Sequence, residues 1–263
     1  MSGGRPRLAG TTAVITGGGR GIGRAVAEAL VERGAAVLVA ARSADEIEAT
    51  TAALRERGAE AHAVPCDVTD EAAVARLAAA AEERLGAVDI LVNNAGAAFA
   101  QPLHRLSLQE WTDTLAVNAT GPFLCTRAFL PGMVQRGRGR VVTVASVAGL
   151  TGAPYVAAYA AAKHAAVGFV RAVAAEVAAS GVTVNAVCPG YVDTDMTSAS
   201  IERIVARTGR TEEEARAAIL EHSPQGRLLG ADEVAAAVAF LCSEDARGIT
   251  GEALVLDGGG LRR

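Results

Sequence analysis

The sequence predicts an α/β fold: one doubly wound parallel sheet with helices on both faces and a helical lid. Short apolar runs alternate along the chain with alanine-rich segments of helical length. The runs are apolar throughout, as expected of parallel strands that are covered on both faces. Their order, strand then helix then strand, implies right-handed crossovers. The predicted strands span residues 13–16, 36–40, 61–65, 90–92, 140–145, 183–187 and 253–256.

Residues 197–228 depart from this rhythm. The segment is long, charged and helical in pattern, and it is inserted between two strand-helix units. Helical insertions of this kind close over binding sites, so the segment is predicted to be a lid.

Composition limits the classes of partner. The 263 residues carry a net charge of −4 without a long run of one sign, so a small molecule is expected as partner and neither nucleic acid nor a membrane is. The polar segment 1–7 lacks the apolar stretch of a signal peptide, and a cytoplasmic protein is expected. The cysteines are widely spaced and are predicted to be reduced core residues: Cys66, Cys125, Cys188 and Cys242. The histidines, at positions 62, 104, 164 and 222, form no ligand motif, so no metal is predicted.

A glycine-rich turn follows the first predicted strand and opens a helix. Its spacing is Gly-x-x-x-Gly-x-Gly, formed by Gly17, Gly21 and Gly23. Glycines at this place let the backbone turn tightly and approach a pyrophosphate at the helix N-terminus. A structural turn alone is the alternative, but the position after strand one of an α/β chain favours dinucleotide binding.

The end of the second strand bears on the choice of dinucleotide. An acidic residue there would bind the 2′-hydroxyl of NAD, but the strand is followed by Arg42. Arg42 and Arg20 of the glycine loop match the geometry of a 2′-phosphate, which predicts NADP(H). Two solvated surface arginines are the alternative.

Tyr159 and Lys163 are four residues apart, one turn of a helix. An ammonium beside a phenol favours the phenolate, and we therefore expect Lys163 to lower the pKa of Tyr159 towards working pH. A phenol adjusted in this way can act as an acid-base catalyst. Alone, such a pair also occurs on solvated helix faces.

These motifs occur in a fixed order with several others: Asp67 after strand three, residues 93–96 (Asn-Asn-Ala-Gly), Asn118, Ser146, and Pro189 with Gly190. With them the chain resembles the short-chain dehydrogenase/reductase family from Leu8 to Gly260. The resemblance implies a single Rossmann-type domain over residues 1–263 that acts as an oxidoreductase. It implies that Tyr159 is the acid-base residue, that Ser146 donates to the substrate carbonyl, that Lys163 also binds the nicotinamide ribose, and that Asn118 holds a water linking Lys163 to solvent.

The resemblance also assigns the cofactor site. It implies that Asp67 and Val68 meet the adenine, Asn94 the adenosine-side backbone, and Val192 with Thr194 the nicotinamide carboxamide. The complete predicted cofactor set is Gly17, Arg20, Gly21, Ile22, Gly23, Arg42, Asp67, Val68, Asn94, Tyr159, Lys163, Pro189, Gly190, Val192 and Thr194.

Within the family the chain most resembles 3-oxoacyl thioester reductases and polyketide ketoreductases, through residues 182–190 and 194–197. The substrate is thus expected to be a 3-oxoacyl thioester, with a free ketone or secondary alcohol as the alternative. A different function is also considered: a regulator that binds the cofactor without catalysing a reaction. Carrier docking stays open: Arg136 stands where the resemblance implies one docking arginine, but Ala175 occupies the place of the second.

The lid and the helices carry two further expectations. The lid arginines, Arg203, Arg207 and Arg210, either meet the phosphates of coenzyme A or are solvated charges. The resemblance implies a homotetramer, paired through the helices that contain Asn118 and Tyr159 and near the C-terminal strand.

Overall fold

The computed structural model describes residues 8–221 and 223–261. The expectations for segment 1–7 and for His222 lie outside these residues. Within them, seven strands form one parallel sheet in the order β3-β2-β1-β4-β5-β6-β7. The strands are β1 (Thr12–Thr16), β2 (Ala36–Ala41), β3 (Ala61–Pro65), β4 (Ile90–Asn93), β5 (Gly139–Val144), β6 (Val182–Pro189) and β7 (Ala253–Leu256). The predicted doubly wound α/β fold is confirmed, with strand ends within about two residues of those expected.

Helices cover both faces of this sheet. They are α1 (Gly21–Val31), α2 (Ala44–Glu56), α3 (Glu71–Leu85), α4 (Leu108–Leu115), α5 (Gly121–Arg136), α6 (Ala157–Glu176), α7 (Asp195–Thr208), α8 (Glu212–Leu220) and α9 (Ala231–Leu241). Neighbouring residues of β1 point to opposite faces: Ile15 joins the core beneath α1 and α9, and Val14 joins the core beneath α3, α5 and α6. The sheet is therefore the wall between two apolar layers.

The strand order reverses between β1 and β4. In open parallel sheets, ligands bind outside the carboxyl ends of the strands at such a switch point. The segments that follow β1, β4, β5 and β6 all emerge at this edge, and each carries residues of the predicted site.

Residues 197–228 contain most of α7 and the whole of α8. The two helices pack on each other through a small apolar cluster separate from the main cores, formed by Ile201, Ala215, Ile219 and Leu228. The predicted helical character of this segment is confirmed, although α7 starts slightly earlier, at Asp195.

All four cysteines are buried and free, as predicted. No helix within the described residues is long and apolar enough to cross a membrane.

Candidate active site and cofactor cradle

The glycine loop between β1 and α1 requires glycine at Gly17 and Gly23. Gly17 has a φ of 65°, which side chains disfavour. A Cβ on Gly23 would lie 2.2 Å from the Gly17 oxygen and 2.3 Å from the Asn94 amide nitrogen. The loop is thus folded tightly on itself at the N-terminus of α1, where backbone N–H groups attract anions.

Asn94 and Thr16 fix this loop to the end of β4. The Asn94 side-chain amide donates to the carbonyls of Thr16 and Gly17, both at 3.0 Å. The Thr16 hydroxyl accepts the backbone N–H groups of Asn94 at 3.0 Å and Ala95 at 3.2 Å. Asn94 therefore shapes the cradle with its side chain. The role of Thr16 was not predicted, because only its buried position between two strand ends reveals it.

The two predicted arginines lie at the surface near this cradle. Arg20, with 67% of its side chain exposed, lies 3.3 Å from the Glu46 carboxylate and 4.0 Å from that of Asp195. Arg42 is exposed, and its charge helps to lower the pKa of Asp67. The main cause of that lowered pKa is the hydrogen bond from the Thr69 backbone N–H. Sequence reasoning found no acid after strand two and missed Glu46, which α2 places here one turn beyond Arg42.

The remaining cofactor residues line the same edge. Val68 is buried against the start of α5, where a Cβ on Gly121 would lie 2.8 Å from it. Gly190 follows β6 and accommodates Asp257. Thr194 lies over the glycine loop, 3.4 Å from a Cβ placed on Gly21. The other members of the predicted set are Ile22, which packs against the core, Pro189 at the end of β6, and buried Val192.

These residues fit a dinucleotide. Gly17 and Gly23 let the loop pack closely against Ala95 and Asn94. The loop leads into the N-terminus of α1, where backbone N–H groups attract anions, and the guanidinium groups of Arg20 and Arg42 are exposed and can bind a phosphate. Among the residues that the structure describes, no group of three His, Cys, Asp or Glu side chains could hold a metal ion.

Ser146, Tyr159 and Lys163 meet at this edge. Ser146 follows β5, and its hydroxyl caps the turn Val147–Gly149 by accepting the Ala148 N–H at 3.1 Å. It donates to the Pro189 carbonyl at 3.5 Å, and it lies close enough to the Tyr159 hydroxyl to lower the pKa of the phenol. The Lys163 ammonium lies 5.6 Å from the centre of the Tyr159 ring and donates to the Val144 carbonyl at 2.9 Å. Helix α6 and the end of β5 thus bring together three of the four predicted catalytic residues.

The pKa values differ from the sequence prediction. Burial raises the pKa of Tyr159 to about 12, and the nearby Ser146 side chain only partly opposes this effect. The prediction of a lowered tyrosine pKa is therefore wrong for this structure. Burial determines the pKa of Tyr159, and Lys163 does not offset it. The Lys163 ammonium lies over the face of the tyrosine ring and donates its hydrogen bond to the Val144 carbonyl. Burial lowers the pKa of Lys163 to about 8.

Asn118 lies in a π-helical segment, Ala116–Thr120, that joins α4 to α5. Its side-chain amide donates to the carbonyls of Ala97 and Thr114, both at 2.9 Å. A Cβ on Gly96 would lie 3.0 Å from the Asn118 oxygen and 3.6 Å from the Lys163 nitrogen. The structure therefore places the Asn118 oxygen and the Lys163 nitrogen together beside Gly96, next to the position that a side chain there would occupy. Such π-helical turns are frequent at functional sites, but nothing in the sequence pattern predicted this one.

The rim of the site is formed by loop 97–102, the segment before α6, and α7. Arg203 donates to the Ala98 carbonyl at 3.1 Å, and Arg207 donates to the Ala100 carbonyl at 2.8 Å and the Gln101 side chain at 2.7 Å. Arg203 is half-buried, whereas Arg207 is exposed as well as hydrogen-bonded to the loop. Tyr191, which sequence reasoning did not single out, lies close enough to raise the pKa of Tyr159.

Comparison with known proteins identifies the family. The profile of the short chain dehydrogenases matches residues 11–204. The chain belongs to this family. It is therefore an oxidoreductase, as the motifs predicted. It is 41% identical over 250 residues to the 3-oxoacyl-[acyl-carrier-protein] reductase of Escherichia coli K12, covering 95% of this chain and 97% of that protein.

Solved structures of the family match over nearly the whole chain. A variant of the actinorhodin polyketide ketoreductase, crystallised with NADPH, superposes with a TM-score of 0.92 at 39% identity, covering 95% of this chain and 96% of that one. Levodione reductase also has a TM-score of 0.92, at 35% identity, covering 96% of this chain and 98% of its own. This short-chain dehydrogenase is thus similar to ketone reductases of more than one substrate type.

Proposed function

We propose that the protein is an NADPH-dependent reductase that converts a ketone into a secondary alcohol, and that 3-oxoacyl thioesters are the leading substrate class. The observation that carries the proposal is the contact of Ser146, Tyr159 and Lys163 at the sheet edge that also holds the glycine loop. The similarity to a 3-oxoacyl-carrier reductase and to a polyketide ketoreductase supports the thioester class.

NADPH, when bound, supplies the hydride that adds to the carbonyl carbon. As that bond forms, negative charge develops on the carbonyl oxygen, which then needs a hydrogen-bond donor and a proton. Ser146 is the donor and Tyr159 gives the proton, so that one hydride and one proton complete the alcohol. The raised pKa of Tyr159 keeps the phenol protonated at neutral pH, which is the form that reduction requires.

Lys163 and Asn118 support Ser146 and Tyr159 by connecting the site to solvent protons. Lys163, buried and with a pKa lowered to about 8, can gain or lose a proton near neutral pH, and it binds the nicotinamide ribose. Asn118 holds the water that connects Lys163 to solvent. Support for this path comes from Gly96, whose missing side chain lets Asn118 and Lys163 approach each other.

For the cofactor, Arg20 and Arg42 bind the 2′-phosphate, the glycine loop binds the pyrophosphate, Asp67 and Val68 meet the adenine, and Val192 and Thr194 meet the carboxamide. The exposure of both guanidinium groups supports the first of these roles, because neither side chain is committed to the core. The similar ketoreductase structure contains NADPH, which supports NADP(H) as the cofactor.

A free ketone or secondary alcohol is the second candidate substrate, and the similarity to levodione reductase favours it. A purely regulatory role fits less well, because all four predicted catalytic residues are present at one edge. We further propose a cytoplasmic homotetramer. Exposed Phe123 and Val134 on α5, and Phe240 and Leu254 near the C-terminal edge, support the two interfaces.

The decisive experiment compares initial rates of NADPH and NADH oxidation with acetoacetyl-CoA and with a panel of free ketones at matched concentrations. Faster reduction of acetoacetyl-CoA with NADPH is expected; turnover restricted to free ketones would transfer the assignment to the second candidate. Tyr159→Phe keeps the ring and removes the proton donor, so kcat should fall by about 100-fold or more while the Kd for NADPH stays the same. Unchanged turnover in this variant would refute the mechanism.

A further inference from the structure

The lid is joined to the rest of the rim mainly by arginine side chains. Arg207 donates to the Ala100 carbonyl and the Gln101 side chain, and Arg203 donates to the Ala98 carbonyl. The apolar cluster of the lid packs α7 on α8 and contains no residue of loop 97–102. Hydrogen bonds from a charged donor are shorter and stronger than neutral ones, so these contacts can determine whether α7 lies on the loop.

The same loop holds the segment that leads into the catalytic helix. The Gln101 backbone N–H donates to the Tyr155 carbonyl at 2.7 Å. Tyr155 has a φ of 69°, and among the described residues it is the one non-glycine residue with a positive φ. A bulky residue in this region is strained and persists where its surroundings hold it.

Tyr155 also lies where it can affect the substrate. It precedes the catalytic Tyr159 by one helical turn, and 65% of its surface is exposed at the rim. A continuous path therefore runs from Arg207 through Gln101 to the strained residue before α6. Its two ends are 52 residues apart in sequence and belong to two different elements of the rim, α7 and the segment before α6.

We propose that Arg207 and Gln101 are positioning residues that clamp α7 to Tyr155 and hold the ketone-binding cleft closed. This proposal rests on the proposed function. Without the clamp a larger share of the molecules has an open lid, and the apparent affinity for the ketone falls in proportion to the closed fraction. At saturating ketone the lid closes again, so the chemical step is unaffected.

The test compares Arg207→Ala and Gln101→Ala with two matched variants. Arg210→Ala is the control, because Arg210 is a lid arginine whose side chain makes no hydrogen bond or ion pair within the described part of the chain. Gln101→Glu keeps the acceptor for Arg207 and serves as the conservative rescue. For each protein the KM and kcat for acetoacetyl-CoA, or for the best ketone found, are measured, together with amide hydrogen exchange of segments 98–101 and 195–208.

In Arg207→Ala, KM should rise about tenfold with kcat within about twofold. In Gln101→Ala, which keeps the hydrogen bond from Arg207 to the Ala100 carbonyl, KM should rise by a smaller factor, and exchange should accelerate in both segments of both variants. Gln101→Glu and Arg210→Ala should match the wild type. An unchanged KM, or an equal rise in Arg210→Ala, would overturn the proposal, and so would faster exchange spread through the whole sheet. If the wild type reduces no ketone, the proposed function fails, and exchange that is unchanged in segments 98–101 and 195–208 overturns the clamp independently.

Discussion

Replacing Lys163 with Met should stabilise the protein at neutral pH while abolishing turnover. Lys163 is only 5% exposed, and its pKa is lowered by burial from 10.5 to about 8. At about 1.4 kcal/mol for each pH unit, keeping this lysine charged in the folded protein at pH 7 costs about 3 kcal/mol. Met fills a similar volume without charge but loses the hydrogen bond to the Val144 carbonyl, worth about 1 kcal/mol. The expected gain is therefore about 2 kcal/mol.

The pH dependence gives this prediction its sign. Below pH 8 the lysine is protonated in both the folded and the unfolded chain, so the full cost is present. Between about pH 8 and 10.5 the unfolded chain binds the extra proton and the folded chain does not, so wild-type stability rises with pH. Lys163→Met lacks this rise, and its advantage should shrink to about zero near pH 10.

The assay is urea unfolding followed by circular dichroism at pH 7, 8.5 and 10, at one fixed protein concentration because any association would shift the midpoint. Tyr159, whose pKa is raised to about 12, affects both proteins equally. An advantage of the Met variant that is the same at all three pH values, or a loss of stability at pH 7, would refute the reasoning that burial lowers the pKa of Lys163.

Two further predictions concern the backbone. Gly23→Ala forces a Cβ to within 2.2 Å of the Gly17 oxygen, so unfolding free energy should fall by about 2 kcal/mol and NADPH binding, measured by fluorescence titration, should be lost. Gly248→Ala, where a Cβ meets nothing within 4 Å, is the control and should change stability by less than about 0.5 kcal/mol. Tyr155→Val should lower the free energy of unfolding by about 1 kcal/mol in the same urea assay, because a β-branched residue tolerates a φ of 69° poorly. Tyr155→Gly should not lower it. Equal stability of the two Tyr155 variants would mean that the residue is unstrained.

The features that the sequence predicted well are those fixed by local geometry. A strand followed directly by glycines and a helix must place the glycine loop at the sheet edge. Tyr159 and Lys163, four residues apart in one helix, lie on the same helix face independently of the tertiary fold. The seven strands were found because each is a short apolar run between helical segments. Ser146 could be placed because it lies two residues after the end of β5.

The features that were missed depend on packing. The pKa of Tyr159 depends on how much protein surrounds the phenol, which spacing along the chain does not report. Glu46 reaches Arg20 only because α2 packs beside the glycine loop. The π-helical turn at Asn118 has no sequence pattern of its own.

The features that local sequence predicts concern the reaction itself, whereas the features that depend on packing concern the choice of substrate. The residues proposed to carry out the reduction lie at strand ends and on one helix turn, where a motif specifies them. The rim is held by contacts such as Arg203 with Ala98 and Arg207 with Ala100, which join residues 105 and 107 positions apart. Motifs shared across the family therefore predict a ketone reductase without choosing its ketone. Because the rim contacts are long-range, the choice between thioester and free ketone has to be sought in variants of Arg207, Gln101 and Tyr155, while substitution of Tyr159 reports on the reaction that every candidate substrate shares.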